Sequence, residues 1–449
     1  MRFFLVAFLA TCAVALLIQL VIVPQLLPHL NAGQGMLVGG DSAGMNDTAA
    51  ALAARIHVEG WSVWELRVAG NAPTGIAAVF YYLFTPEPYV LIPLNALVHA
   101  AGGLVIYIIV FQLTRNQLAA LVGALPFLMF PSAAAWYAQI HKDGIFALGM
   151  LLCALGWMQA FRRDYWDMPS LPTAPVAFFG RLAAMLGPVA LGLWLVWVVR
   201  PHIMILMQAV GLVTTLAGLA LLTSWWRSGA MSGIKAAKGA FLFVAILVLM
   251  VLIKPSDYRV DSWRGDVVVR ENVMQYMPTQ CVLARGESAQ ADKLASTVAA
   301  MRDLFISSKS YSNAKSNMDA DFVPGTVCNL LSYLPRALQV GFLAPFPSAW
   351  MGDGSVAANT LMRRVVSVEM MVTYLAVLLL PLAMWDFRRK PAFWFVLGFC
   401  TLLIVVHTYL VPNLGTLHRM RYVFLACIVG LSIGAVARRL LLGKSTRGG

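Results

Sequence analysis

Long apolar runs separated by short polar breaks dominate this chain, and their lengths set the first expectation. About 20 apolar residues carry a helix across the hydrocarbon of a bilayer. Ten runs qualify, at 3–27, 88–112, 117–137, 144–161, 179–199, 203–224, 238–254, 364–384, 391–411 and 421–441, and Pro126 and Pro131 interrupt the third. The first resembles a secretory signal, because Arg2 precedes an apolar stretch broken only by Thr11, Gln19 and Pro24. A signal core is only about 7–15 residues long, so this run reads as an uncleaved span. Two longer segments, 28–87 and 255–363, lack spans. Within them, helical spacing marks 46–56 and 289–305, and the aromatic run Thr74–Phe84 and the stretch 334–350 read as interfacial helices. The expected fold is an all-α polytopic membrane protein. Its expected modules are 1–254 with seven spans and the outer loop 28–87, the outer region 255–363, and 364–449 with three spans.

Composition agrees with lipid as the solvent. The 449 residues are 60% hydrophobic and 12% charged, against about 25% charged in a soluble domain. A formal charge of +13 would suggest a nucleic-acid partner in a soluble protein. Here its distribution argues otherwise. Arg2, Arg115, Arg162, Arg163, Arg227, Lys235, Lys238, Arg388, Arg389, Lys390, Arg438, Arg439, Lys444 and Arg447 all fall on one side if the ten spans alternate. The positive-inside rule makes that side cytoplasmic, with both termini, and turns the two long segments toward the outside. The expected location is a bacterial inner membrane with any active site facing the periplasm.

No Walker A sequence and no GxGxxG on a strand-turn-helix occurs, so nucleotide chemistry has no site on the cytoplasmic side. Cys12, Cys153, Cys400 and Cys427 lie in apolar runs and read as small core residues, whereas Cys281 and Cys328 share the long outer segment and can pair in an oxidising compartment.

Three constellations on the outer side can carry chemistry. The first is Gly40-Asp41-Ser42 to Asp47. An aspartate at a lipid interface can act as a general base toward a hydroxyl or help hold a divalent cation. Asp47 reads mainly as the N-cap of a helix beginning near Thr48, which leaves Asp41 as the candidate base. The second is His141-Lys142-Asp143 at the mouth of the third and fourth spans, where a ligand role and simple capping of the next helix are both open. The third is His418-Arg419-Met420-Arg421 before the last span. Basic residues there run against the charge rule. Bidentate phosphate binding or headgroup anchoring would explain them. Arg200-Pro201-His202 gives a similar basic spot and reads as a short-loop anchor.

These features together resemble the GT-C superfamily of polytopic glycosyltransferases that use lipid-phosphate sugars, nearest to the bacterial protein-mannosyltransferase and aminoarabinose-transferase group. The resemblance rests on the GD-x5-D-x-x-A loop, the aromatic interfacial helices, the Lys-Asp pair opening the fourth span, the outward Arg pair, and the segment Leu334-Pro335-Arg336-Ala337-Leu338 to Ala344-Pro345-Phe346-Pro347-Ser348-Ala349-Trp350. It implies a polyprenyl-phosphate sugar donor, a glycan, lipid or protein acceptor, catalysis by Asp41, and donor phosphate contacts from Lys142, Arg419 and Arg421. His141, Asp143, Arg200, His202 and His418 are further candidates. A clear paired-acid motif and a large soluble C-terminal domain are missing. A magnesium or manganese ion is therefore an open cofactor and the acceptor type is open. The competing readings are an O-antigen or exopolysaccharide polymerase or ligase, a lipid-linked glycan flippase using Glu369 and His407, and a non-catalytic assembly subunit. None of these partners is a nucleic acid.

Overall fold

The computed structural model describes residues 2–162, 175–253, 289–307 and 314–445. Arg163, Cys281 and Arg447, singled out above, lie outside them. Among the described residues, nine helices are long and apolar enough to cross a membrane, and a bent pair makes a tenth if it counts as one span. The chain is an all-α, multi-pass membrane protein.

In chain order the helices are α1 (Arg2–Leu17, continued as a wider π-helical stretch Ile18–Leu26 containing Pro24), α2 (Ser42–Glu59), α3 (Ala72–Leu83), α4 (Ile92–Thr114), α5 (Gln117–Met129), α6 (Pro131–Tyr137) and α7 (Asp143–Ala160). They continue with α8 (Pro175–Val199), α9 (Ile203–Arg227), α10 (Gly233–Leu252), α11 (Ala289–Ser307), α12 (Val327–Leu343), α13 (Ala357–Asp386), α14 (Pro391–Leu410) and α15 (Leu414–Ser445).

The chain divides into two compact units. One comprises Met1–Tyr258, Ala376–Phe399 and Cys427–Gly449; the other comprises Arg259–Leu375 and Cys400–Ala426. The last three helices therefore contribute to both.

In the first unit, α7 is buried nearly all round and packs tightly against α8. A Cβ built on Gly192 would lie 2.5 Å from the Gly149 carbonyl oxygen, so only glycine permits this backbone approach. Small residues at a helix contact are the usual device where lipid removes the hydrophobic drive between helices. The expected third span is the bent pair α5–α6, turned by 62° between Met129 and Pro131. The residue before a proline avoids the helical region, and Phe130 is extended at φ −62°, ψ 121°.

The two ends of the bent pair have different partners. Just before α5, the Leu113 carbonyl accepts a 2.6 Å hydrogen bond from Lys390 Nζ. Just after α6, Gln139 joins the 28–87 loop through Leu37 N at 3.1 Å and the Gly35 carbonyl at 2.9 Å. Around Lys390, Arg115, Arg162 and Arg438 are close enough for their charge to act on its ammonium. Burial first, then these cations, hold it below the ordinary lysine range. Arg439 forms a two-point pair with Asp386 at 2.7 Å each. Basic residues from three loops and the end of α15 thus gather around Lys390.

In the second unit, the segment after residue 314 laces onto the α14–α15 turn. Met318 N donates to the Pro412 carbonyl at 2.8 Å and Leu414 N to the Ser316 carbonyl at 2.9 Å. Asn413 caps α15 through Thr416 N at 3.2 Å and donates to Ser316 Oγ and Asn317 Oδ1. Cys328, at the start of α12, is disulfide-bonded; its expected partner Cys281 lies outside the described residues.

Candidate functional site

The first outer loop carries a small core of its own. Met45, Ala49, Leu52, Ala53 and Ile56 recur at helical spacing on α2 and pack against Ala77, Ala78 and Tyr81 of α3. Tyr81 donates to Asn46 Oδ1 at 2.5 Å, and Asn46 donates to Gln34 Oε1 at 2.8 Å. Burial first, then the charges of Glu87 and Asp47, push the Tyr81 phenol well above its ordinary range. The expected helix at Thr74–Phe84 is α3, and it buries one side against α2.

Helix α2 starts at Ser42, well before the expected start near Thr48. Its N-cap is Asp41, without a side-chain capping bond, and Asp47 sits inside the helix, exposed. The assignment of Asp47 as cap is corrected here. The apolar face begins at Met45, so burying that face extends the helix upstream past Asp47. Six residues is about 600° of helix, so Asp41 and Asp47 point roughly 120° apart. They do not converge on one ion, and among the described residues no group of three His, Cys, Asp or Glu does either. The donor set does not fit a resident divalent cation.

Ile140 joins the α2–α3 core, and its carbonyl accepts a 3.1 Å hydrogen bond from Ser42 Oγ. With the Gln139 contacts, this fastens the Asp41 loop to the turn bearing His141, Lys142 and Asp143. Lys142 Nζ donates to Asn71 Oδ1 at 3.3 Å, tying in the start of α3. Asp41 is exposed and lies one residue from this junction. The structure therefore brings the first two constellations together.

Asp143 begins α7, where the helix dipole favours a carboxylate. It is almost fully buried, with His141 Nδ1 at 2.9 Å from Oδ2 and Arg200 donating to Oδ1. The Arg200 guanidinium also lies 4.5 Å from the Phe146 ring centre. Arg200, expected to be a surface anchor, is only 3% exposed and pairs with the carboxylate. His202 is exposed at the N-cap position of α9. Arg67 braces the same region, donating to the Val198 and Trp197 carbonyls at 3.1 and 2.8 Å over the Trp197 ring.

The third constellation belongs to the second unit. Arg421 is buried and its terminal nitrogens donate to the Val340 and Gly341 carbonyls, 2.6 Å each, and to that of Ala344. These carbonyls close the C-terminal turn of α12. Arg419 is half-buried, and His418 Nε2 lies 3.5 Å from Glu369. His407 Nδ1 meets the Leu403 carbonyl at 2.6 Å.

Sequence reasoning missed Arg302. It is 1% exposed and donates to the carbonyls of Asp319, Phe322, Thr408 and Tyr409. Burial is the main reason its guanidinium is held below the ordinary range. Asp319 accepts from Tyr333 at 2.8 Å and from Nε and Nη2 of Arg336 at 2.9 and 3.0 Å. Burial acts to raise the Asp319 carboxyl. The Arg336 and Tyr333 hydrogen bonds outweigh it and hold the group below the ordinary carboxylate range. An arginine inside an otherwise unremarkable amphipathic run gives no sign of such a role.

Comparison with known proteins returns no match: no family model, no curated protein and no solved structure resembles this chain.

Proposed function

We propose that this chain is a GT-C-like membrane glycosyltransferase, working at the periplasmic face of a bacterial inner membrane with both termini in the cytoplasm. It takes a sugar from a polyprenyl-phosphate donor and transfers it to a hydroxyl of an envelope glycan, lipid or protein. The observation that supports this reading is the set of hydrogen bonds from Gly35, Leu37 and Ser42 to Gln139 and Ile140, which ties the loop bearing the exposed Asp41 to the turn bearing His141 and Lys142.

In this reading Asp41 takes the proton from the acceptor hydroxyl, the oxygen attacks the anomeric carbon, and polyprenyl phosphate leaves with the bonding pair. Negative charge grows on the departing phosphate, where Lys142 lowers the barrier electrostatically. The donor carries its own activation, so no nucleotide site is needed. Arg421 is assigned a helix-capping role instead of a phosphate contact, because its donors already meet three carbonyls.

Asp41→Asn is expected to abolish sugar transfer from polyprenyl-phosphate donors in proteoliposomes while leaving insertion and melting temperature unchanged. Full transfer by that variant would refute Asp41 as the base.

A further inference from the structure

At the end of the first unit that holds Lys390, helix contacts bring cations together with little to balance them. α15 and α5 run antiparallel in close contact. A Cβ built on Gly430 would lie 2.7 Å from the Gly123 carbonyl oxygen, and one built on Gly434 would lie 3.3 Å from that of Ala119. Four residues forward along α15 is thus four residues back along α5, about one turn of each. The next turn sets Arg438 against Arg115, the left-handed residue between α4 and α5. Lys390 reaches the same place from the α13–α14 turn. Its Nζ donates to the Leu113 carbonyl at 2.6 Å, two residues before Arg115, and lies 5.1 Å from the Phe387 ring centre. The charges that act on this ammonium are those of Arg438, Arg115 and Arg162, all positive. The nearby carboxylate of Asp386 is already held at two points by Arg439. Neither the Arg115 nor the Arg438 guanidinium hydrogen-bonds or ion-pairs with a described residue.

We propose that this end of the unit binds one anionic phospholipid, with its phosphate diester among Arg115, Arg438 and Lys390 and its chains along the apolar flank of α13 and α15. A pair of phosphate oxygens matches the two-pronged edge of a guanidinium. Lys390 keeps two of its three ammonium hydrogens after its bond to Leu113. The flank is exposed and apolar: Leu382 and Trp385 on α13 and Leu440 on α15. Inorganic phosphate would satisfy the donors and leave that flank uncovered. A zwitterionic lipid also carries a phosphate, but it brings a cation that the arginines repel. An anionic lipid answers both the charge and the apolar surface. The site needs nothing from the transfer reading and stands if that reading fails.

The test titrates the full chain in detergent with phosphatidylglycerol, with phosphatidylcholine of the same chains, and with inorganic phosphate. Bound lipid is counted by native mass spectrometry in about 0.15 M ammonium acetate, where charges more than about 8 Å apart are largely screened. The wild type is expected to hold one phosphatidylglycerol about tenfold more tightly than phosphatidylcholine. Arg115→Gln combined with Arg438→Gln should weaken phosphatidylglycerol about thirtyfold, the worth of two basic contacts, and leave phosphatidylcholine and the melting temperature unchanged. Arg227→Gln combined with Lys235→Gln removes the same charge on either side of the α9–α10 turn, from residues that do not act on Lys390. That control should shift binding less than about twofold. Equal binding of phosphatidylcholine, wild-type binding by the Arg115 and Arg438 pair, or an equal loss in the control would each overturn the proposal. Displacement of phosphatidylglycerol by inorganic phosphate at equal concentration would assign the cations to a soluble anion and overturn it as well. The comparison of the two lipids on the wild type needs no variant to fold.

Discussion

Arg421 and Arg302 are buried cations, and both do the same thing: each supplies donors to the end of a helix. The last carbonyls of a helix have no partner within it, and the dipole makes that end negative. Arg421 closes α12 and Arg302 closes α14, donating to its Thr408 and Tyr409 carbonyls. Arg421→Met is therefore expected to lower stability by about 3 kcal/mol, because it strands buried carbonyls. Arg421→Lys should not restore it, since a single ammonium cannot span carbonyls that a planar fork reaches. Melting in detergent measures both. A residue serving only donor phosphate would lose transfer with no change in melting. Asp319 adds a pH signature. Its carboxyl is held below the unfolded value near 3.8. The folded state therefore binds fewer protons than the unfolded state across that window. The stability from the Arg336 and Tyr333 bonds is complete above the unfolded value and is lost as pH falls through the folded one. Between pH 7 and 5 the melting temperatures of the wild type and Asp319→Asn should run parallel, and the gap between them should close only below about pH 4.

At the scale of elements, the broken α5–α6 pair sets the shape of the candidate site. His99 is buried beside this break, with its ring centre 4.8 Å from those of Phe127 and Tyr137. Pro126 and Pro131 made this break legible in the sequence, as apolar run length did for the nine other spans. Both signals are local. What was not legible depends on contacts between distant residues. Nothing near His99 announces that its ring meets those of Phe127 and Tyr137. Nothing near Arg200 announces a carboxylate at the start of α7. The start of α2 was misjudged because acid-before-helix is a local cue, while the buried face from Met45 to Ile56 is a tertiary one. Asp41 emerged as a candidate from loop position alone; its neighbours became visible only through the contacts of Ser42 and Gln139.

For the whole molecule, the proposed membrane orientation rests on which residues share a face within the first unit. Leu113, Arg115, Arg162, Asp386, Lys390, Arg438 and Arg439 gather at one end. Gly35, Leu37, Ser42, Asn71 and Lys142 gather with the α6–α7 turn. A cluster of like charges is unfavourable unless water or anionic lipid lies against it, which the cytoplasmic leaflet provides. The even number of crossings needs α5–α6 to count as one. If it were re-entrant, Asn116 and Lys142 would lie on the same side, and the chain after Lys142 would be inverted relative to the charge rule. Thiol labelling decides between these arrangements. Cys153, Cys400 and Cys427 are buried, so background labelling by a membrane-impermeant maleimide should be low. Single cysteines at Ser62 and Lys142 should react in intact spheroplasts. Those at Asn116 and Arg389 should react only after permeabilisation. Reaction of Asn116→Cys from outside would make α5–α6 a re-entrant loop, and would put Asp41 and the basic cluster on faces that a periplasmic transferase cannot use.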